Sequence, residues 1–348
     1  MISENKFIGC LVGCAIGDAL GMPVEGWPKE RIRACLGKIT DYLDPIILHD
    51  ESGKRLIEDE FGPIHNWTEV FSKGEYTDDT ILTLAIAESI IECGLPDPVH
   101  LTQKQLEIYE DFAQGRSKCG FGGTTKAAFE NLKKGRRLTE SGVIGGPGTG
   151  PAMKTAPIGL WISVNKNRRE TGLFLADLIA RSTHLDPRSR VCAVIQTDLV
   201  SLLVNDDLHR ENLTNYCGAT CNQWEDALTD KFKWYKKGNI GNKLDWISLN
   251  RRASVEEAHA HLGSSSAVYR AYPFVLWMLQ KFWDEPVEGL IELVNCGGDC
   301  DTTGAMYGAL IGAKHGIEIF PQHLLDGLNG LENIIAVASD LYSVCTNA

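Results

Sequence analysis

Two stripes of glycine constrain this chain more than any other feature. Gly9, Gly13, Gly17 and Gly21 recur every four residues near the start, and Gly304, Gly308, Gly312 and Gly316 recur with the same period near the end. Ala305, Ala309 and Ala313 run beside the second stripe. A four-residue period puts such positions on one face of a helix. Glycine in a helix interior costs about 0.5–1 kcal/mol relative to alanine. Its repeated use implies that another backbone comes very close. The two striped helices are therefore expected to pack near each other in the core and to bring the two ends of the sequence together.

Each stripe borders carboxylates. The first carries Asp18 and runs into Gly21-Met22-Pro23-Val24-Glu25; the second follows Gly297-Gly298-Asp299-Cys300-Asp301-Thr302-Thr303. A third block, Tyr76-Thr77-Asp78-Asp79-Thr80, opens an apolar run from Ile81 to Ile91. Clustered anions are costly unless something positive neutralises them. Helix N-termini offset only about 0.3–1 kcal/mol each. The remainder points to hard cations. An all-oxygen set without His or Cys suits Mg²⁺, Mn²⁺ or Ca²⁺ better than Zn²⁺. Alone, each block reads better as N-capping aspartates and threonines; read together with the glycine stripes, they point to a metal centre.

The chain of 348 residues is long enough for two domains, yet no linker, charge block or repeat array divides it, so one domain over 1–348 is expected. A net charge of −12 argues against nucleic acid or an anionic membrane as a partner. Basic residues cluster at Lys133-Lys134-Gly135-Arg136-Arg137 and from Lys231 to Lys237, and both clusters read as a solvated face or a helix end. No signal peptide is evident and no run of about 18 apolar residues occurs, so no membrane span is expected. The 11 cysteines are scattered without a Cys-x-x-Cys pair, which points to reduced thiols and a cytoplasmic protein.

The periodicity is helical. Ile81–Ile91 reads as a helix with Thr77 or Asp78 as N-cap. Asp186-Pro187 opens a helix that runs through Val204. Tyr269–Trp283, Val287–Val294 and Leu324–Val344 also fit helices. The polar, aromatic-dotted stretch from Ile46 to Phe71, within an insertion around residues 40–75, reads as irregular with a short hairpin, and as a lid or substrate-selecting loop.

These blocks together resemble the ADP-ribosylglycohydrolase family. The resemblance rests on Gly13-Cys14-Ala15-Ile16-Gly17-Asp18-Ala19-Leu20-Gly21 with Glu25, on Thr77-Asp78-Asp79-Thr80 and on the Gly297–Gly316 block. Weaker matches lie between, in family order: Gly122-Gly123-Thr124-Thr125, Met153 to Gly159, Thr183-His184-Leu185-Asp186-Pro187 and Tyr272-Pro273-Phe274. The resemblance covers residues 9 to about 316 and implies an all-α, single-domain orthogonal helical bundle.

It also implies a metal-dependent hydrolase that removes ADP-ribose from modified protein side chains, arginine-linked in the first instance. Two Mg²⁺, with Mn²⁺ as the alternative, would be held by Thr77, Asp78, Asp79, Asp299, Asp301 and Thr302, with Asp301 bridging. Glu25 would be the catalytic acid/base, and Asp18 would bond nearby backbone. ADP-ribose would lie against Gly120, Phe121, Gly122, Gly123, Gly150, Met153 and His184, with backbone N–H groups meeting the diphosphate. Phe121 would either stack on adenine or pack inward. The family pattern has Asn-Gly and an Arg after the Met; here Thr149-Gly150 and Lys154 stand instead. An aspartate that some members carry near position 121 is replaced by Phe121, which moves the acid/base burden to Glu25. The partners implied are ADP-ribosylated proteins, and a toxin ADP-ribosyltransferase if the role is immunity rather than regulation. Three other readings stay open: a hydrolase of serine-linked or other ADP-ribose O-glycosides, a binuclear-metal phosphohydrolase, and a non-catalytic ADP-ribose-binding or structural protein on the same fold.

Overall fold

The computed structural model describes residues 2–64, 67–229 and 240–347. At its centre the helices Glu4–Gly21 and Cys300–His315 run antiparallel with their glycine faces together. Gly9 lies against Gly312, Gly13 against Gly308, Gly17 against Gly304 and Gly21 against Cys300. A methyl group on Gly9 would fall 2.7 Å from the Gly312 carbonyl oxygen, closer than any side chain is tolerated. The glycine period thus sets the register as well as the partner. The first helix is long and apolar enough by composition to cross a membrane, but 94% of its most apolar window is buried inside the molecule.

Around this pair pack the helices Asp78–Cys93, Ala156–Val164, Pro187–Val204, Val268–Lys281, Pro286–Val294 and Leu331–Thr346. They share one apolar core that reaches from Phe7 to Cys345. The fold is all-α; among the described residues the one sheet is the hairpin Glu58–Asp59 with Gly62–Pro63. None of the eleven cysteines is in a disulfide. Lys133–Arg137 forms an exposed helix end, and Lys231–Lys237 lies outside the described residues.

Two expectations need correction. The helix after Thr77 does start at Asp78, but the Thr77 side chain makes no capping bond within it. Its cap comes from another helix: Asp18 accepts the Thr77 N–H at 3.0 Å and the Thr80 N–H at 3.1 Å. A capping carboxylate supplied from a distance leaves no local sequence signature. The stretch Leu324–Val344 is two helices, Gln322–Gly327 and Leu331–Thr346. The break falls where Gly330 adopts φ 73° and the Asn329 N–H donates to the Gly74 carbonyl at 2.9 Å. That bond needs the backbone to leave the helix.

The insertion carries the expected hairpin, and a buried arginine pins it. Arg31 donates to both Asp59 carboxylate oxygens at 2.9 and 2.6 Å, to the Pro63 carbonyl at 3.0 Å and to the Gly62 carbonyl at 2.6 Å. Its guanidinium also stacks over the Trp27 ring. Charge-assisted bidentate bonding of this kind fixes orientation strongly. Further along, the Trp67 ring lies so close to Gly120 that a methyl there would meet it at 2.9 Å.

Candidate active site

Three chain segments bring carboxylates to one cavity of about 200 Å³, which Glu25, Asp78, Asp79, Asp299, Asp301 and Thr302 help to line. Each segment has a local reason to be there. The helix Glu4–Gly21 ends in a 3₁₀ turn, Met22–Val24, with Pro23 inside it, and Glu25 emerges from that turn. Asp78 and Asp79 start their helix where Asp18 caps it. Asp299 and Asp301 follow Gly297 and Gly298, whose φ values of 70° and 77° favour glycine. Side chains at these positions would also strike the Trp27 carbonyl and Ser264.

N-capping accounts for little of the acidic blocks: of Asp299 and Asp301, only Asp301 accepts a first-turn N–H, that of Thr302 at 2.8 Å. Asp299 precedes the helix Cys300–His315 but its side chain makes no cap bond. Instead its Oδ2 accepts from Thr149 Oγ1 at 3.0 Å. Asp79 Oδ2 accepts from Thr77 Oγ1 at 3.3 Å and from Thr302 Oγ1 at 3.4 Å. Asp79 Oδ1 is buried and has no hydrogen-bond partner among the described residues. A buried, unpartnered carboxylate oxygen is the position a cation would fill. Carboxylate oxygens of Asp18, Asp79 and Asp301, and of Glu25, Asp299 and Asp301, gather within 4.8 Å of one another. Asp301 belongs to both groups.

The electrostatics agree. Burial raises Asp18 to about 6, against hydrogen bonds from Thr80 and Thr77 that lower it. Burial, then the Asp18 charge, raises Asp78 to about 7. Burial raises Asp299 to about 6, although the Thr149 and Thr302 hydroxyls hold it down. Burial followed by Asp299 and Asp78 raises Glu25 to about 8. Asp79 and Asp301 are pushed well above the ordinary carboxylate range, by burial and by their neighbours' charges. Without a cation the cluster cannot ionise fully near neutral pH. An all-oxygen donor set with an orphaned oxygen fits hard divalent cations.

The rest of the cavity wall is Gly120, Gly122, Gly123, Thr124 and Thr125, and Gly148, Thr149, Gly150 and Met153 with His184 and Ser266. His184 is buried and supports the second loop from behind: a methyl on Gly148 would lie 2.7 Å from its Nε2. Burial, then the Lys154 charge, lowers His184 to about 3, so it stays neutral. Lys154 is itself buried and lowered to about 8, with Asp78 acting to raise it.

The structure brings the expected residues together with two exceptions. Phe121 turns away from the cavity into an aromatic cluster, with ring centroids 5.9 Å from Tyr109, 5.3 Å from Phe112 and 5.7 Å from Phe129. Of the two placements open from the sequence, the inward one is found. Thr77 reaches the cavity only through its hydrogen bonds to Asp18 and Asp79. Ser266 was not singled out from sequence. It sits in a Ser-Ser-Ser run with no periodicity, and the backbone bridge between Gly148 and Ala267 is what brings it in.

With this geometry in place, comparison with known proteins settles the family. The ADP-ribosylglycohydrolase family model matches residues 2–348. The chain belongs to the ADP-ribosylglycohydrolase family. It is 30% identical to an uncharacterized protein of Archaeoglobus fulgidus over 98% of this chain and 97% of that one. Human ADP-ribosylhydrolase ARH3 is 24% identical over 98% of this chain and 94% of its own length. The ADP-ribosylarginine hydrolase Tri1 of Serratia proteamaculans is 24% identical over 98% and 80%. A solved structure described as an ADP-ribosylglycohydrolase-related protein complex shares the fold, with a TM-score of 0.65, 24% identity and 98% coverage of both chains. Family membership supports an ADP-ribosyl hydrolase, a glycosidase acting on ADP-ribosylated substrates.

Proposed function

We propose that this family member cleaves the bond between ADP-ribose and a modified protein side chain, arginine-linked in the first instance, and that it needs two Mg²⁺, with Mn²⁺ as the substitute. The observation that carries the reading is the unpartnered Asp79 Oδ1 within a convergence of buried carboxylates. Asp78, Asp79, Asp299, Asp301 and Thr302 would be the oxygen donors for the cations, with Thr77 steadying Asp79 through its hydrogen bond. When bound, these cations would neutralise the carboxylates and hold sugar hydroxyls and water by Lewis-acid attraction.

The rest is the work of the chain. Cleavage passes through oxocarbenium character at the ribose. Glu25 faces the carboxylates at the edge of the cavity, where it can hold and transfer a proton at its carboxyl oxygen. The helix Gly123–Lys133 begins at Gly122 with no side-chain cap, which leaves its first N–H groups for a diphosphate. The Thr149–Asp299 hydrogen bond ties the second glycine loop to the acidic cluster. Phe121 anchors the first loop from behind by packing in the aromatic core.

The arginine linkage draws support from the motif resemblance and from the printed activity of the Serratia relative. It is tested by incubating the protein and Mg²⁺ with arginine-ADP-ribosylated and serine-ADP-ribosylated proteins, with an aryl phosphate alongside. Free ADP-ribose from the arginine substrate is the expected outcome. Release only from the serine substrate would reassign the linkage, and turnover of the aryl phosphate alone would replace the glycosidase reading with a phosphohydrolase.

A further inference from the structure

One short segment, Ser264 to Val268, ties the turn that carries Asp299 to the second glycine loop. At one end the Ser264 carbonyl accepts the Asp299 N–H at 2.7 Å, and the Ser264 hydroxyl donates to the Gly297 carbonyl at 2.8 Å. At the other end the Val268 N–H donates to the Pro147 carbonyl at 2.7 Å, and Ala267 bridges Gly148. Thr149, next in that loop, closes the circuit through its 3.0 Å bond to Asp299 Oδ2. Asp299 is thus held at its backbone by one arm of the circuit and at its carboxylate by the other.

The sequence builds this brace from the end of a helix. The helix Val255–Leu262 stops at Gly263, whose φ of 84° reverses the chain and whose N–H donates to the His259 carbonyl at 2.8 Å. The reversal lays Ser264 Oγ 2.8 Å from Nε2 of the half-buried His259. The hydroxyl has one proton, and that proton goes to Gly297. Nε2 must then be the donor, which fixes the imidazole tautomer. A charged ring would donate from the same nitrogen, so the bond does not depend on the charge of His259. Gly297 and Gly298 impose little conformational preference of their own, so outside contacts set the direction of their turn. The Trp27 carbonyl, which accepts the Gly298 N–H at 2.9 Å, is one such contact, and Ser264 is the other. The fit is close: a methyl on Gly298 would lie 2.5 Å from both the Ser264 carbonyl oxygen and its Oγ.

We infer that Ser264, locked by His259, is a positioning residue for the cation site: it holds the Gly297–Gly298 turn and so keeps the Asp299 carboxylate among the converging oxygens. This rests on the cation reading above. Neither His259 nor Ser264 is among the residues that line the carboxylate cavity, so both act through Asp299. Partners that orient a metal ligand from behind are commonly worth about 10–100-fold in metal affinity.

The test is calorimetric titration of the full chain with Mg²⁺, for the native protein, Ser264→Ala, His259→Leu and His259→Gln, with thermal unfolding in EDTA alongside. Glutamine keeps a side-chain N–H donor for the Ser264 hydroxyl, and leucine does not. Ser264→Ala and His259→Leu should each weaken Mg²⁺ binding by about tenfold, and His259→Gln should stay within about twofold of the native chain. A merely structural role would lower the unfolding midpoint in EDTA and leave the Mg²⁺ affinity of the folded variants unchanged. That result, or equal losses in the leucine and glutamine variants, would overturn the inference. Failure of the native chain to bind either Mg²⁺ or Mn²⁺ would instead overturn the cation reading, and this inference with it.

Discussion

Asp18 Oδ2 accepts the Thr80 hydroxyl at 2.6 Å and so fastens the first glycine-striped helix to the helix that presents Asp78 and Asp79. The carboxylate also takes the Thr80 N–H at 3.1 Å and the Thr77 N–H and hydroxyl at 3.0 and 2.9 Å. One fully buried side chain thus caps a helix and places two candidate metal ligands.

Asp18→Ala should therefore destabilise the fold by about 2–3 kcal/mol, because it strands buried N–H and hydroxyl donors. Urea unfolding of the two proteins checks this; equal midpoints would mean that the cap is dispensable.

The glycine contact makes a contrasting pair of predictions. Gly308→Ala should cost about 2–3 kcal/mol through overpacking against the Gly13 backbone. Gly218, in the helix Leu213–Thr229, has open space where a Cβ would go. Gly218→Ala should stabilise by about 0.5–1 kcal/mol, the helix-propensity difference. Thermal unfolding of both variants reads the two signs.

Why some of this was legible in the sequence and some was not follows from the same contacts. A four-residue glycine period is a statement about a facing backbone, so the pairing of Gly17 with Gly304 could be anticipated. Acidic residues next to the stripes then had to converge, because the stripes converge. Interactions between segments without a period leave no such trace. The Asp18 cap on Thr77, the Arg31 anchor on Asp59 and the approach of Ser266 depend on tertiary placement. Phe121 was ambiguous because a glycine-flanked aromatic fits a ligand or a core equally well. The cluster of Tyr109, Phe112 and Phe129 decides it. The helix break before Leu331 needed the Gly74 carbonyl, which is far away in sequence.

The cation-free protein should lose stability as pH rises. Asp18 and Asp299 are raised from 3.8 to about 6, Asp78 from 3.8 to about 7 and Glu25 from 4.5 to about 8. The folded state then binds protons more tightly than the unfolded chain. The contribution is fully present below about pH 4 and is lost as pH climbs through 6 to 8. In EDTA, Tm should fall between pH 5.5 and 8.5. Mg²⁺ should raise Tm by on the order of 5 °C at pH 8.5 and by much less at pH 5.5. A metal effect that does not depend on pH would contradict the assignment of these carboxylates as the ligands.

Glu25→Gln should keep ADP-ribose affinity within a few-fold while slowing turnover by about 10²–10⁴-fold, the usual contribution of a general acid/base. Calorimetric titration with ADP-ribose and single-turnover rates separate the two effects. Lost ADP-ribose binding would make Glu25 a ligand-holding residue instead.

Asp301 is common to both carboxylate groups, so a cation-dependent hydrolysis of an ADP-ribosyl bond at this site would depend on it. The most direct measurement is ADP-ribose release from an arginine-ADP-ribosylated protein in Mg²⁺ and in EDTA, for the native chain and for Asp301→Asn. The expected result is release by the native chain in Mg²⁺ only, and none by a folded Asp301→Asn. Release that survives EDTA, or an Asp301→Asn variant as active as the native chain, would contradict it.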